Sequence, residues 1–353
     1  MKNAAIYPIT PKNQFLLTEL DNQFDDLTIT TAVVPNSFAT QVSISNYDIF
    51  HKVEDVIGHV DTVIFVSSWD TRRMYMEIDM VLNRGIDVIT TILFSDEDAE
   101  HLCQIAHLHN ANFTMKTKTH IAKLLDERDE AYSQPESIVI AVSPITKGIS
   151  SSKLITGLFA SLERAGYKVG VICSDSDLQL LSGYEWLPLD LMINEQLDRC
   201  IMKINEFANL FQMIYKPDVI IVQMPDEGLY RMTYDFASCF GAKTFLVSQA
   251  INFDYGIVLS PVIDFDFSLY EQLSHISAKR FGFEYNSICL VPKIVNLDIA
   301  QGEEVVKYYT ASDNELEATT EMLANQSTND IHFLAAFEDY ITPLTRQIIE
   351  YLS

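Results

Sequence analysis

Lys153 stands at the head of a helical stretch, behind a loop of small and hydroxylic residues that reads Ser143-Pro-Ile-Thr-Lys-Gly-Ile-Ser-Ser-Ser152. A lysine in that setting reaches the β/γ-phosphates in the P-loop pattern G-x-x-x-x-G-K-[ST], where backbone N–H groups cradle the phosphates and the final hydroxyl holds Mg²⁺. Aligned on Lys153, the pattern is degenerate. Lys147 takes the place of the first glycine, with Gly148 one position late; Ser152 replaces the second glycine, and Leu154 replaces the metal-binding hydroxyl. The spacing predicts a crevice that keeps a phosphate-cradling shape and loses its Mg²⁺ ligand.

In open parallel sheets, ligands lie outside the carboxyl ends of the strands, so the loops after the neighbouring strands belong to the same candidate crevice. They read Ser174-Asp175-Ser176-Asp177, Pro225-Asp226-Glu227-Gly228 and Ser248-Gln249. The candidate set for an anion or nucleotide is Gly148, Ser151, Ser152, Lys153, Asp175 and Asp226, held at a helix N-terminus where backbone donors and the helix dipole favour negative charge. The plainer alternative is that Ser150 to Ser152 only cap a helix and that Asp175 and Asp226 are ordinary loop residues. No metal site is expected directly. His101, Cys103, His107 and His109 crowd one helical stretch, and the i, i+4 step from Cys103 to His107 puts two ligands on one face, but two more ligands are lacking. They read as a His-rich surface helix. Trp69, just before the helix-capping Asp70, suits either a ligand contact or a packing role. No Cys–His or Ser–His–Asp set can be assembled from spacing.

The elements that would position these groups alternate strand and helix along the whole chain, the pattern of parallel sheets with crossover helices. Strands are expected at Ala4–Pro8, Thr28–Val34, Thr62–Ser67 and Asp87–Leu93. Arg72 to Arg84 places Met74, Ile78, Val81 and Leu82 on one helical stripe, with Gly85 as the stop. A second helix is expected over Glu97 to His109. This first part has no G-x-G-x-x-G, and Pro8-Ile-Thr-Pro11 after its first strand lacks two backbone donors, so dinucleotide binding is not expected. Asp126 to Ser137 reads as a linker. Residues 1–130 then form a Rossmann-like domain, 131–137 the linker, and 138–353 a P-loop-like α/β domain. In that second domain strands are expected at Ile138–Ser143, Lys168–Cys173, Asp218–Met224, Lys243–Ser248 and Ser287–Val291. Helices are expected at Ser151–Ala165, Asn194–Tyr215, Tyr230–Phe240, Phe267–Phe281, Asp313–Asn325 and Phe333–Leu352.

The chain of 353 residues is 48% apolar, enough for two cores. Its 49 acidic against 24 basic residues give a formal charge of −25, which argues against a nucleic-acid surface and tolerates a basic or zwitterionic partner. No apolar run is long enough to span a bilayer and the start does not read as a signal peptide, so a cytoplasmic protein is expected. The five cysteines are widely spaced and read as buried thiols of a reducing compartment.

Collinear stretches resemble the family of peptide maturation system proteins, encoded with radical SAM enzymes and small Cys-rich bacteriocin-type precursors. They are Ala5-Ile-Tyr-Pro8, Val60-Asp-Thr-Val-Ile-Phe65, the strand and loop into Lys153, Ala165-Gly-Tyr-Lys-Val169, Lys216-Pro-Asp-Val-Ile-Ile-Val222, Leu246-Val-Ser-Gln-Ala250 and Arg280-Phe-Gly-Phe-Glu284. The resemblance implies an accessory role in making a ribosomally synthesised, post-translationally modified peptide (a RiPP), with the precursor peptide or the radical SAM enzyme as partner. Ile145 to Ser152 departs from the glycine-rich, acidic loop of the relatives. The second domain is more distantly similar to dethiobiotin-synthetase-type P-loop proteins, which implies a homodimer. Two functions follow as expectations: an interaction protein, or an ATP-dependent ligase or ATPase in which Lys153 contacts phosphate, Ser151 or Ser152 replaces the usual hydroxyl, and Asp175 or Asp226 positions metal or a nucleophile.

Overall fold

Short runs of buried aliphatic residues form the strands of two sheets, and the amphipathic stretches between them form the covering helices. The structure, a computed structural model, describes residues 1–20, 23–24, 26–66, 70–117, 120–125, 132–146, 148–193, 196–225, 241–263, 267–295, 307–327, 331–336 and 340–352. Trp69, Lys147, Asp226, Cys239 and the helix expected over 230–240 lie outside the described residues. The chain divides into two compact units, Met1–Lys123 with Asp175–Trp186, and Leu124–Ser174 with Leu187–Ser353.

The first unit runs β1 (Lys2–Tyr7), α1 (Leu16–Glu19), β2 (Leu27–Val33), β3 (Asp48–Phe50), a 3-10 turn (Val53–Val56), β4 (Thr62–Phe65), α2 (Thr71–Leu82), β5 (Asp87–Thr90), α3 (Asp96–Leu108) and β6 (Phe113–Met115). Its six strands lie in the order β3-β2-β1-β4-β5-β6, with every neighbouring pair parallel. That is the doubly wound order whose direction reverses between the first and fourth strands. The expected stripe Met74, Ile78, Val81 and Leu82 is fully buried against Val63, Phe65, Leu102 and Ile105. Asp70 caps α2 by accepting from the Arg73 amide, and Ser95 caps α3 by accepting from that of Asp98.

Helix α4 (His120–Leu125) leads to the second unit, which contains β7 (Ile138–Pro144), α5 (Ser152–Arg164) and β8 (Val169–Cys173). After the first unit's β9 (Tyr184–Trp186) come α6 (Leu189–Met192), α7 (Leu197–Tyr215), β10 (Val219–Gln223), α8 (Ala242–Ala250), β11 (Tyr255–Val262), α9 (Phe267–Phe281) and β12 (Ser287–Val295). The last elements are β13 (Tyr308–Thr310), α10 (Asp313–Gln326), β14 (His332–Ala335) and α11 (Ile341–Leu352). The strands follow the order β13-β12-β11-β7-β10-β8, with β14 added to β12. The β12–β13 pair is antiparallel, and the other ladders of this series are parallel. The central β7 thus has β10 on one side and β11 on the other, so its carboxyl end is the switch point of this sheet.

Three expectations are corrected. Lys243 to Ser248 is not a strand but the middle of α8, because a short apolar run reads alike in a buried helix and a buried strand. The strand beside β7 is instead β11, which the sequence reading passed over. Phe333 to Leu352 is a strand followed by a helix rather than one helix. Cys103 is exposed, whereas Cys173, Cys200 and Cys289 are buried.

The described end of the expected linker, 132–137, is fastened to the second unit. Buried Asn205 on α7 donates to Ser133 O (2.6 Å) and Ala250 O (2.7 Å) and accepts from the Ser133 amide (3.2 Å). Gln212 accepts from the Ser137 amide and hydroxyl. Asn205→Ala removes these three bonds while Asn209 Nδ2 still donates to Ser133 O (3.0 Å) and Gln134 Nε2 to Ala250 O (3.4 Å), so it should cost about 1–2 kcal/mol in urea-induced unfolding; a change under about 0.5 kcal/mol would show that the fastening carries little.

In the first unit, burial alone would raise the Asp87 carboxyl, but Lys2 Nζ at 2.6 Å and the Asn112 amide at 2.8 Å hold it below the ordinary 3.8. Because the folded value is depressed, the stabilisation is complete above pH 3.8 and fades as pH falls through the lower folded value. Acid titration of unfolding should show this component in the wild type and lose it in Asp87→Asn.

Candidate functional site

The loop between β7 and α5 leaves the switch point of the second sheet, where a parallel sheet offers a crevice. Its backbone is fixed at one end by the Ile145 amide, which donates to Leu259 O of β11 at 2.8 Å. Gly148 has φ +88°, a conformation that favours glycine, and a Cβ there would press on the Tyr308 ring at 3.1 Å. Lys293 Nζ donates to Gly148 O (3.1 Å) and lies 5.0 Å from the centroid of the same Tyr308 ring. Tyr308 and Lys293 therefore cover the glycine from β13 and β12.

The three serines turn inward. Ser151 occupies the N-cap of α5 in helical conformation without a side-chain cap bond. Gln223, buried at the end of β10, donates through Nε2 to Ser151 Oγ (3.0 Å) and Ser152 Oγ (3.4 Å), while its Oε1 accepts from the Ser174 amide at 3.1 Å. One side-chain amide thus joins the head of α5 to the ends of β8 and β10. Ser150 Oγ accepts from the Ser152 amide at 3.4 Å. Leu154 is 1% exposed, packed into the core at the position where a Mg²⁺ ligand would stand. Lys153 is exposed at the start of the helix.

Gly148, Ser151, Ser152 and Lys153 accordingly gather at the head of α5. Asp175 belongs to the first unit, where it pairs with Lys12 at 3.3 Å and caps the 3-10 turn Ser176–Leu180. Asp226 lies outside the described residues, and Ser248 and Gln249 sit within α8 rather than after a strand. The sequence reading did not single out Gln223, Lys293 or Tyr308. Gln223 left a signal, since it is the one polar side chain closing the apolar run Val219–Val222. Lys293 and Tyr308 left none, because only the β12–β13 pairing brings them to the loop.

The corresponding loop of the first unit consumes its own donors. The Ile9 amide donates to Val33 O (2.8 Å), the Thr10 amide to Asn13 Oδ1 (2.8 Å), and Asn13 Nδ2 to Pro8 O (3.1 Å). With prolines at 8 and 11, these donors are not available to a diphosphate. Tyr7, at the carboxyl end of β1, accepts from Arg73 Nη2 at 3.4 Å, and Arg73 Nε donates to Glu77 at 2.9 Å. Burial, together with the Glu77 charge, pushes the Tyr7 phenol far above its ordinary value, so it stays protonated. On α3, His101 Nδ1 meets Tyr75 Oη at 2.5 Å with the rings stacked, while His107 and His109 are exposed. Among the described residues no three metal-ligating side chains come together, and no helix is long and apolar enough to cross a membrane.

No protein-family model matches the chain, and no curated protein matches it in sequence. The crystal structure of a DUF1611 family protein from Anabaena variabilis is similar over 99% of this chain and 100% of its own, with a TM-score of 0.66 and 8% identity. At that identity the likeness shows a shared fold. A homoserine dehydrogenase from S. aureus matches 33% of each chain at 14% identity and TM-score 0.27. A dehydrogenase (MviM) from Clostridium difficile matches 47% of this chain and 57% of its own at 17% identity and TM-score 0.29. Neither superposition is close enough to carry an inference.

Gln223→Leu removes both the donor to the serines and the acceptor for Ser174. It should speed hydrogen exchange at the Ser174 amide and lower stability by about 1–3 kcal/mol. Gln223→Glu keeps the acceptor and should restore slow exchange at Ser174; equal exchange in the two variants would dismiss the bridge.

Proposed function

We propose that this chain is an accessory binding protein in the maturation of a RiPP, holding the precursor peptide or its radical SAM enzyme, with the loop at α5 serving as a structural element. The reading takes its peptide context from the sequence resemblance. Its support in the structure is one observation: the phosphate-loop position is filled by the chain's own groups. Leu154 is buried in the place of the Mg²⁺ hydroxyl, and the Ser151 and Ser152 hydroxyls are bonded to Gln223. A nucleotide would have to displace those bonds and still lack a metal ligand, and phosphoryl transfer depends almost wholly on such positioning and charge. A homodimer in the cytoplasm belongs to the same proposal. The second reading, an ATP-dependent ligase or ATPase, draws its support from Lys153, exposed at the head of α5.

Isothermal titration of wild type and Lys153→Ala with ATP and Mg²⁺ separates the two. Under the accessory reading neither protein gives saturable heat. Saturable heat in wild type that disappears in Lys153→Ala would replace it with the enzyme reading. Pull-down with the precursor peptide and the modifying enzyme encoded beside it should retain at least one of them; retention of neither overturns the accessory role.

A further inference from the structure

Resting on the peptide-binding reading above, we infer that the cleft along α2 in the first unit takes the carboxyl-terminal end of a peptide, apolar and carrying one basic side chain. The cleft has a volume of about 580 Å³, within the range of a small-ligand site, and lies between α2 and Glu54 of the 3-10 turn Val53–Val56. Val53 and Val56 of the turn and Met74 and Ile78 of α2 belong to one buried cluster, so both walls stand on the same core.

The charges of the cleft are of two kinds. Arg73 and Glu77 answer each other, with Nε donating to Oε1 at 2.9 Å and Nη2 turned to the Tyr7 hydroxyl at 3.4 Å. Asp70 is engaged as the cap of α2, accepting from the Arg73 amide at 3.0 Å. Arg72 and Glu54 line the same cleft and are exposed, and among the described residues neither has a hydrogen bond or an ion pair. One cation and one anion are therefore left open, the first on the helix and the second on the turn. Met76 and Met80 continue the helix wall, and Met76 is 64% exposed, a large apolar side chain in a charged setting. Among the described residues Glu77 Oε2 is buried without a hydrogen-bond partner, the kind of group that a bound water or a ligand donor answers.

Each open group names a part of the ligand. A guanidinium takes a carboxylate through two parallel N–H donors, and Arg72 lies in the first turn of α2, where the helix dipole also favours an anion. Glu54 asks for an ammonium or a guanidinium. The unbranched methionines adapt to apolar side chains of varied shape. From Arg72 to Met80 the helix rises roughly 12 Å, a span covered by about four residues of extended chain; a single amino acid would leave Met80 uncovered. Glu54, Asp70 and Glu77 outnumber the two arginines, which disfavours a polyanion such as a nucleotide. A basic side chain balances the terminal carboxylate, which suits a chain of net charge −25.

The test uses rhodamine-labelled Gly-Gly-Lys-Leu-Leu-Leu with a free carboxyl terminus and the full-length chain. Anisotropy should give saturable binding to wild type. The same peptide ending in a carboxamide should bind at least about ten-fold more weakly, and Arg72→Gln should bind acid and amide alike, at the weaker level. Glu54→Gln should lose the preference for lysine over norleucine in the probe. Both side chains are exposed and unpaired among the described residues, so these variants keep the fold. No saturable binding to wild type, equal binding of acid and amide by wild type, or a preference for the acid that survives in Arg72→Gln overturns the inference. If the precursor peptide is retained in pull-down equally by wild type and by Arg72→Gln, peptide binding stands and this cleft is not its site. If wild type retains neither precursor nor enzyme while the probe binds as described, the accessory reading falls and the cleft stands as a peptide site.

Discussion

A parallel sheet must be covered on both faces, and that constraint arranges the rest of this molecule. It explains why the strands read as nearly unbroken aliphatic runs, such as Val219–Val222, and why a helix lies between most successive strands. With both faces taken by helices, the carboxyl ends of the strands are left as the place where loops with polar side chains gather. Each unit has one such edge. In both, the polar groups of the edge are answered largely from within the chain.

In the second unit the answer is a single amide. Gln223 has a donor and an acceptor at one tip, so it can satisfy the serine hydroxyls of α5 and the Ser174 amide together. A buried polar group left unpaired costs more than a typical hydrogen bond gains, so the buried hydroxyls of Ser151 and Ser152 call for some such partner. Leu154, next to Lys153, is packed into the core. Tyr308 and Lys293 then cover Gly148, the lysine bonded to its carbonyl and lying over the tyrosine ring. Asn205 follows the same rule at the other end of the unit, where it pins residues 132–137.

In the first unit the edge is closed twice. Asn13 gathers the donors of the loop after β1, and the excursion 175–186 lies across the ends of β1 and β5 through Lys12 and Thr91. Nucleotide chemistry needs free backbone donors at such an edge, and the described loop has used its own. The full-length likeness to a DUF1611 family protein concerns this two-unit fold and not its chemistry.

The sequence by itself determined the α/β class, the alternation into mainly parallel sheets, and the α2 stripe with its Asp70 cap. These are local properties: periodicity, capping and a motif within a dozen residues decide them. Whether Lys243 to Ser248 is strand or helix was not local, because a short buried run suits either and only β11 pairing with β7 excludes it from the sheet. Tertiary structure alone assigned Asp175 to the first unit, brought Lys293 and Tyr308 to Gly148, and made Gln223 the keystone of the α5 loop. Those groups are separated by tens of residues and meet only through strand order, which one sequence does not encode in any short pattern. The pattern around Lys153 is legible in the sequence, and only the folded chain shows that Gln223, Lys293 and Tyr308 meet it.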